Sequence, residues 1–175
     1  MASPLNNVVM FGVSSNNEWV VRDFIDDKED NPTIYNGLSL HTEYRVFVDF
    51  DTEKVIGISP YWHPEVMKAN FLNIGVSAPI QKNHDYINYI NHEDTLMKRY
   101  EENKDLVVSE VSKLLKDCKL NGQWSIDIMQ NGSDFWLIDM ARASESALSE
   151  CVPKEKLKQA PLPFMLSDGL LESGG

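Results

Sequence analysis

Residues 124–148 read WSIDIMQNGSDFWLIDMARASESAL, and this stretch decides the fold. Residues 124–129 and 135–140 are rich in β-branched and aromatic side chains, as strands are. Asn131-Gly132 between them is a frequent sequence for a tight reversal of the chain. The stretch therefore predicts a β-hairpin.

Asp127 and Asp139 lie inside the two predicted strands, where Asp is normally depleted. Because strand side chains alternate between two faces, the length of the turn decides whether the carboxylates can meet. A two-residue loop, Asn131-Gly132, places them on opposite faces. A three-residue loop that ends at Ser133 places Asp127 opposite Leu137, and the two carboxylates then share a face as diagonal neighbours.

On the shared-face register, the two carboxylates are close enough to hold one Mg²⁺ or a pair of ions. Two like charges in a half-buried site repel each other, and a divalent cation removes that conflict. Mg²⁺ bound by one or two carboxylates usually also carries nucleotide phosphates. The alternative is that one or both aspartates lie at a solvated edge of the sheet.

Composition limits the classes of function. The chain has 175 residues, enough for one good core, and 42% of them are hydrophobic. Sixteen Lys and Arg against 27 Asp and Glu give a net charge of -11, which argues against general nucleic-acid binding. No apolar run has the length of a membrane span, and the N-terminus lacks the pattern of a signal peptide. The two cysteines and four histidines have no zinc-site spacing, and we expect a cytoplasmic protein.

Two strand patterns precede the hairpin. Residues 19–25, WVVRDFI, predict a buried strand that runs into an acidic loop at residues 26–31. Residues 43–50, EYRVFVDF, alternate cleanly between two faces, and residues 55–59 return as the antiparallel partner. Arg45 in this strand is either one half of an ion pair on a solvated face or a ligand for phosphate oxygens.

The remaining segments complete the expected architecture. Residues 60–79 predict an irregular aromatic loop, and an amphipathic helix follows, with a cap-like pattern at Asn91 and an apolar stripe from Val107 to Cys118. Residues 143–150 predict a short helix. We expect an α+β fold, with a mainly antiparallel sheet, one long amphipathic helix and the two-carboxylate hairpin. Residues 1–150 form the domain, and residues 151–175 form a loosely ordered tail.

The order of these pieces resembles the C-terminal part of the ATP-grasp superfamily over roughly residues 19–148. The motifs that carry the resemblance are WVVRDFI, the Glu-Tyr-Arg-Val-Phe strand with its return GISPYW, and the hairpin WSIDI…FWLIDMA. The sequence is similar to phage-type and uncharacterised ATP-grasp proteins, and to the ATP-grasp chaperones that assemble a eukaryotic translation initiation factor.

The resemblance implies the ligands and the residues that bind them. Backbone groups of Arg22, Asp23, Phe24 and Ile25 would contact the adenine of ATP. Arg45 would lie near the nucleotide phosphates or an acyl-phosphate and would be the catalytic residue. The metal ligands would be Asp127 and Asp139, which makes ATP and Mg²⁺ the expected cofactors.

Two departures from the family pattern bear on the activity. Ala141 stands where the family usually has an Asn that completes the metal shell, and Ser144 or Glu145 is a candidate substitute. No Lys precedes Lys28, although ATP-grasp enzymes carry phosphate-binding lysines before the segment that contacts adenine. We therefore expect a portion of a longer protein, a remnant that binds nucleotide poorly, or a chain whose missing N-terminal lobe is supplied by a partner. The apolar surface that a truncated lobe leaves favours association, for example into a homo-oligomer.

The leading hypothesis is an ATP- and Mg²⁺-dependent carboxylate-amine or carboxylate-thiol ligase that acts through an acyl-phosphate on a small-molecule or peptide carboxylate. The absence of a persuasive Ser/His or Cys/His constellation agrees with it, because this chemistry needs no covalent protein nucleophile. One alternative is a degenerate, non-catalytic binding or assembly domain. Another is a metal-dependent hydrolase that uses Asp127 and Asp139 alone.

Overall fold

The computed structural model describes residues 24–72, 80–147 and 151–158. Its main element is an antiparallel sheet of four strands, in the spatial order β4-β3-β5-β6, and a two-stranded ribbon, β1 and β2, precedes the sheet in the chain. The described residues also form two helices and two short 3₁₀ turns, Ala143–Glu145 and Lys154–Lys156. The strands and helices are β1 (Thr33–Ile34), β2 (Leu38–Ser39), β3 (Thr42–Asp49), β4 (Lys54–Pro60), α1 (Pro64–Leu72), α2 (Ile80–Asp117), β5 (Gln123–Asn131) and β6 (Asp134–Arg142). The predicted α+β class with a mainly antiparallel sheet and one long helix is confirmed.

One face of the sheet packs against α2. The alternation in β3 places Tyr44, Val46 and Val48 on this face, and all three are fully buried. They meet Val107, Val111 and Leu115 from the apolar stripe of α2 in a single hydrophobic cluster. Because strand side chains alternate with a period of two, the opposite face receives the charged residues of β3, Glu43, Arg45 and Asp49.

The aromatic segment after β4 is more regular than its sequence predicts. Part of the expected irregular loop is α1, and α2 begins at Ile80, well before the cap-like pattern at Asn91. A second hydrophobic cluster explains both differences, since it joins Trp62 and Phe71 to Tyr89 on the early turns of α2. Contacts between distant segments thus stabilise helical structure that local periodicity does not reveal.

The hairpin forms as predicted, but its register is neither of the two that turn length suggested. Asn131 pairs with Asp134, so the loop consists of Gly132 and Ser133, and Gly132 adopts the left-handed φ of 66°. The register then shifts between Ile128 and Asp127. Ile138 is the extra residue of β6 at this bulge. The predicted pairing of Asp127 with Leu137 is wrong, because the loop Gly132-Ser133 moves the partner of Asp127 to Ile138 and the bulge moves it on to Asp139.

The second face of the sheet carries a smaller cluster at one end. Phe47 and Ile56 pack there with Ala143 and Val152, so the described segments 143–147 and 151–157 both reach this face of β3 and β4. The approach is close at Gly57, where an added Cβ would lie 2.8 Å from Cγ2 of Val152. The rest of this face carries polar side chains.

At the start of the described chain, Phe24 and Ile25 lie in no regular element, and Phe24 is 88% exposed. The predicted buried strand therefore does not extend to its last two residues. The rest of that predicted strand, residues 19–23, lies outside the described residues.

Candidate functional site

Four side chains from four neighbouring strands form a polar row across the second face of the sheet. Ser59 of β4 pairs with Arg45 of β3, Arg45 pairs with Asp127 of β5, and Asp127 pairs with Asp139 of β6. We call these four residues the polar row. The three charged residues singled out in the sequence are consecutive members of it, and the bulge at Ile138 places the two aspartates directly opposite each other rather than diagonally.

Arg45 and Asp127 form a bidentate ion pair at the centre of the row. Nε of Arg45 donates to Oδ1 of Asp127 at 2.8 Å, and Nη2 donates to Oδ2 at 2.7 Å. The two side chains are only 14% and 6% exposed, so the pair is largely removed from solvent. Hydrogen bonding to Asp127 raises the pKa of Arg45, against the opposing effect of burial. Of the two roles open to Arg45, ion pairing is the one realised in this conformation, although the face is buried rather than solvated.

Further contacts fix the orientation of the Arg45 guanidinium. Its Cζ lies 4.7 Å from the centre of the Tyr61 ring, a cation-π distance. Nη1 donates to the backbone carbonyl of Ala147 at 3.4 Å. The chain after β6 is held nearby, since Ser125 and Ser146 are joined by a 2.5 Å hydrogen bond between their hydroxyls. The guanidinium is therefore held on several sides before any ligand arrives.

Glu43 is a buried carboxyl on the same face, two residues before Arg45 in β3. The residue is 7% exposed, and burial raises the pKa of its carboxyl to about 8, with a further increase from the nearby charge of Asp127. Arg45 and a hydrogen bond from Trp62 oppose the shift. A buried carboxyl with a strongly raised pKa, beside a cavity, is typical of a functional site. Glu43 is not among the site residues predicted from the sequence, although its position two residues before Arg45 in the strand pattern places it on this face.

Asp139 differs from Asp127 because it is exposed. Its Oδ1 accepts a hydrogen bond from the backbone N–H of Met140 at 2.8 Å. Like charges directly opposite each other in a sheet destabilise it, and the pairing of Asp127 with Arg45 offsets that repulsion here. Asp139 is thus the accessible carboxylate of the row.

Asp127 and Asp139 could supply part of the ligand shell of a Mg²⁺ ion, and they do not make a complete protein metal cage. Within residues 24–72, 80–147 and 151–158, there is no group of three or more His, Cys, Asp or Glu side chains that could hold a metal ion. Two facing carboxylates are nevertheless what Mg²⁺ uses when substrate phosphates supply its other ligands. Ala141, two residues after Asp139, pairs with Ser125 and offers no side-chain oxygen.

A cavity of about 330 Å³ adjoins Glu43 on this face. Apolar side chains form most of its wall, and they include two of the residues that the family resemblance assigns to adenine, Phe24 and Ile25. The full lining is Phe24, Ile25, Gly37, Leu38, Ser39, His41, Glu43, Met129 and Ile138. A mainly apolar cavity with a few polar groups is the usual form of a small-molecule site. The other two residues assigned to adenine, Arg22 and Asp23, lie outside the described residues.

Hydrogen bonds to the hairpin hold the segment that forms one wall of the cavity. The fully buried Asn131 accepts the backbone N–H of Lys28 at 2.9 Å and donates to the carbonyl of Asp26 at 2.8 Å. Asp27 accepts from the backbone of Asn31 at 2.6 Å and closes the acidic loop on itself. The Asn of the hairpin turn thus positions the chain that follows Phe24 and Ile25.

No protein-family model, curated protein or solved structure matches the chain. In the part of the chain that the structure describes, no helix is both long enough and apolar enough to cross a membrane.

Proposed function

We propose that this chain is an ATP-grasp-like domain that binds ATP and belongs to an ATP- and Mg²⁺-dependent carboxylate-amine or carboxylate-thiol ligase. The observation that carries the proposal is the polar row, in which an arginine and two facing aspartates are consecutive on one sheet face. The cavity beside Glu43 supports it, because Phe24 and Ile25 line a space suited to a nucleobase.

In this proposal each group of the site has a distinct task. The apolar cavity binds the base and excludes water from it. Arg45, oriented by Tyr61, binds oxygens of the phosphoryl group as it passes to a substrate carboxylate, because guanidinium binds phosphate in a bidentate manner. Asp127 and Asp139 would hold the Mg²⁺ that accompanies ATP, whose chemistry is to neutralise charge on the phosphoryl group. Transfer of the phosphoryl group releases ADP; an amine or thiol then attacks the carbonyl carbon of the acyl-phosphate, forms the amide or thioester bond and releases inorganic phosphate.

A specific observation favours a second candidate, a non-catalytic binding or assembly domain of the same fold. The Arg45–Asp127 pair is closed, so each side chain already satisfies the other. Ala141 leaves the hairpin without the third ligand that the family usually has. A domain that has kept the fold and lost the chemistry would show both features.

Calorimetric titration with a non-hydrolysable ATP analogue, with and without Mg²⁺, tests the proposal. We expect Mg²⁺-dependent binding that Asp139→Asn abolishes. Asp105→Asn, at an exposed position on α2, is the matched control and should bind as the wild type does. A folded wild type that does not bind at millimolar nucleotide would reject the proposal. Binding that is indifferent to Mg²⁺, without ADP release from ATP, would favour the non-catalytic candidate.

A further inference from the structure

The geometry of the Arg45–Asp127 pair stands in the way of ligand binding at this site. Both groups needed by the proposed function, the anion-binding guanidinium and one metal-binding carboxylate, are bound to each other through two hydrogen bonds of 2.8 and 2.7 Å. The pair occupies the Nε and Nη2 side of the guanidinium, and Nη1 is directed to Ala147. A phosphate that approaches Arg45 must therefore compete with Asp127.

We propose that the Arg45–Asp127 ion pair is an exchange lock: a phosphate-bearing anion displaces Asp127 from Arg45, and the released Asp127 then forms a divalent-cation site with Asp139. This inference rests on the proposed function for the identity of the anion, a nucleoside triphosphate, and deepens it by assigning how the two ligands depend on each other. The cation site exists in full only when the anion is bound.

The charges around the pair explain why neither ligand binds well alone. An anion by itself would take Arg45 and leave Asp127 uncompensated, directly opposite Asp139 and close to the buried Glu43. Removal of one partner from a buried ion pair strongly destabilises the protein, because the remaining charge is left unpaired. A cation by itself would share Asp127 with the positive charge of Arg45. The two ligands together restore the charge balance that each disturbs.

The consequence is positive coupling between anion and cation, of the size typical for linked sites. We expect Mg²⁺ to change the affinity of this face for a triphosphate by roughly 10-fold or more beyond what Mg²⁺–triphosphate association in solution produces. Because that solution equilibrium is the same for every variant, comparison between variants isolates the contribution of the lock.

Two matched aspartate variants test the lock with inorganic tripolyphosphate as the probe, titrated calorimetrically in the absence of metal. Asp127→Asn opens the pair and frees Arg45, so we expect metal-free tripolyphosphate to bind about 10-fold tighter than to the wild type. Asp139→Asn removes the same charge from the neighbouring position without opening the pair, and its metal-free affinity should change far less. Equal effects of the two variants, or weaker binding by Asp127→Asn, would overturn the lock.

The same titrations distinguish failure of the lock from failure of the proposed function. If the ATP analogue binds the wild type with Mg²⁺ and Asp127→Asn shows no gain without metal, the lock is wrong and the proposed function stands. If Asp127→Asn gains affinity for tripolyphosphate but no form of the protein prefers the ATP analogue, the lock stands and nucleotide recognition is rejected.

A measurement on the wild type covers the case in which Asp127→Asn does not fold. The Nε–H signal of Arg45 in ¹H–¹⁵N spectra reports the partner of the guanidinium directly. We expect it to move when tripolyphosphate and Mg²⁺ are added together, and to stay in place with Mg²⁺ alone. A signal that is unchanged at saturating concentrations of both would show that Arg45 has not exchanged its partner, which would overturn the lock.

Discussion

Glu43 should make the folded protein less stable as the pH rises, whereas most acidic residues make it more stable, and replacement by Gln should remove this effect. The carboxyl is buried, and its pKa rises from 4.5 to about 8 in the folded protein. A group whose pKa is higher in the folded state binds its proton more tightly there. Its contribution to stability is therefore complete below pH 4.5 and is lost as the pH rises through 8. Gln keeps the size of the side chain and has no proton to lose.

The size of the effect follows from the two pKa values. The interval from 4.5 to about 8, at 1.36 kcal/mol for each pKa unit, gives an upper value of about 5 kcal/mol at high pH. By pH 7 about 3 kcal/mol of this cost is already present in the wild type. We expect Glu43→Gln to match the wild type at pH 4.5 and to exceed its stability progressively as the pH rises.

Urea unfolding of both proteins at pH 4.5, 7 and 9 measures this difference, and effects of other titrating groups cancel in the comparison. Glu102→Gln is the control for loss of a carboxylate without loss of a buried group, since that side chain is 57% exposed on α2. The reasoning is refuted if the free-energy difference between Glu43→Gln and the wild type is the same at pH 4.5 and pH 9.

Two further predictions concern the core and the wall of the cavity. Leu115→Ala should lower the free energy of unfolding, measured in urea, by about 2–5 kcal/mol, because Leu115 is 1% exposed in the cluster between sheet and helix. Leu114→Ala is the control: that neighbouring side chain is 43% exposed, so its truncation should lower the free energy of unfolding much less. Asn131→Ala should lower the free energy of unfolding by about 1–3 kcal/mol and accelerate amide hydrogen exchange at Lys28, because it removes the hydrogen bonds that join the hairpin to residues 26 and 28. Unchanged exchange at Lys28 would show that these bonds do not hold the cavity wall.

The elements that the sequence predicts well are those whose evidence is local. The alternation of residues 43–50 identifies β3 and its buried face, and the two β-rich runs around Asn131-Gly132 identify the hairpin. The elements that it misses depend on distant contacts. Helix α1 and the early turns of α2 are stabilised by packing around Trp62, which brings together residues far apart in the chain.

The candidate site shows the same division. The residue types and their positions inside strands could be predicted, because Arg45, Asp127 and Asp139 stand as charged residues within strand patterns. The direct opposition of the two aspartates could not, since it depends on the bulge at Ile138, for which turn length gives no signal. The closed pair of Arg45 and Asp127 also could not, because it requires the register between β3 and β5.

The distribution of charge on this face is the strongest physical reason to treat it as a binding site rather than as part of the core. Arg45 compensates one carboxylate, Asp127, while Asp139 lies opposite that aspartate and Glu43 is buried nearby. A face selected for stability alone would replace these acidic groups with apolar ones, since buried ion pairs seldom exceed hydrophobic packing in stability. Retaining Glu43 at a cost of about 3 kcal/mol near neutral pH is consistent with a trade of stability for binding. If the proposed anion and cation offset that cost when they bind, they should stabilise the wild type more than they stabilise Glu43→Gln, and thermal unfolding with and without both ligands would measure the difference.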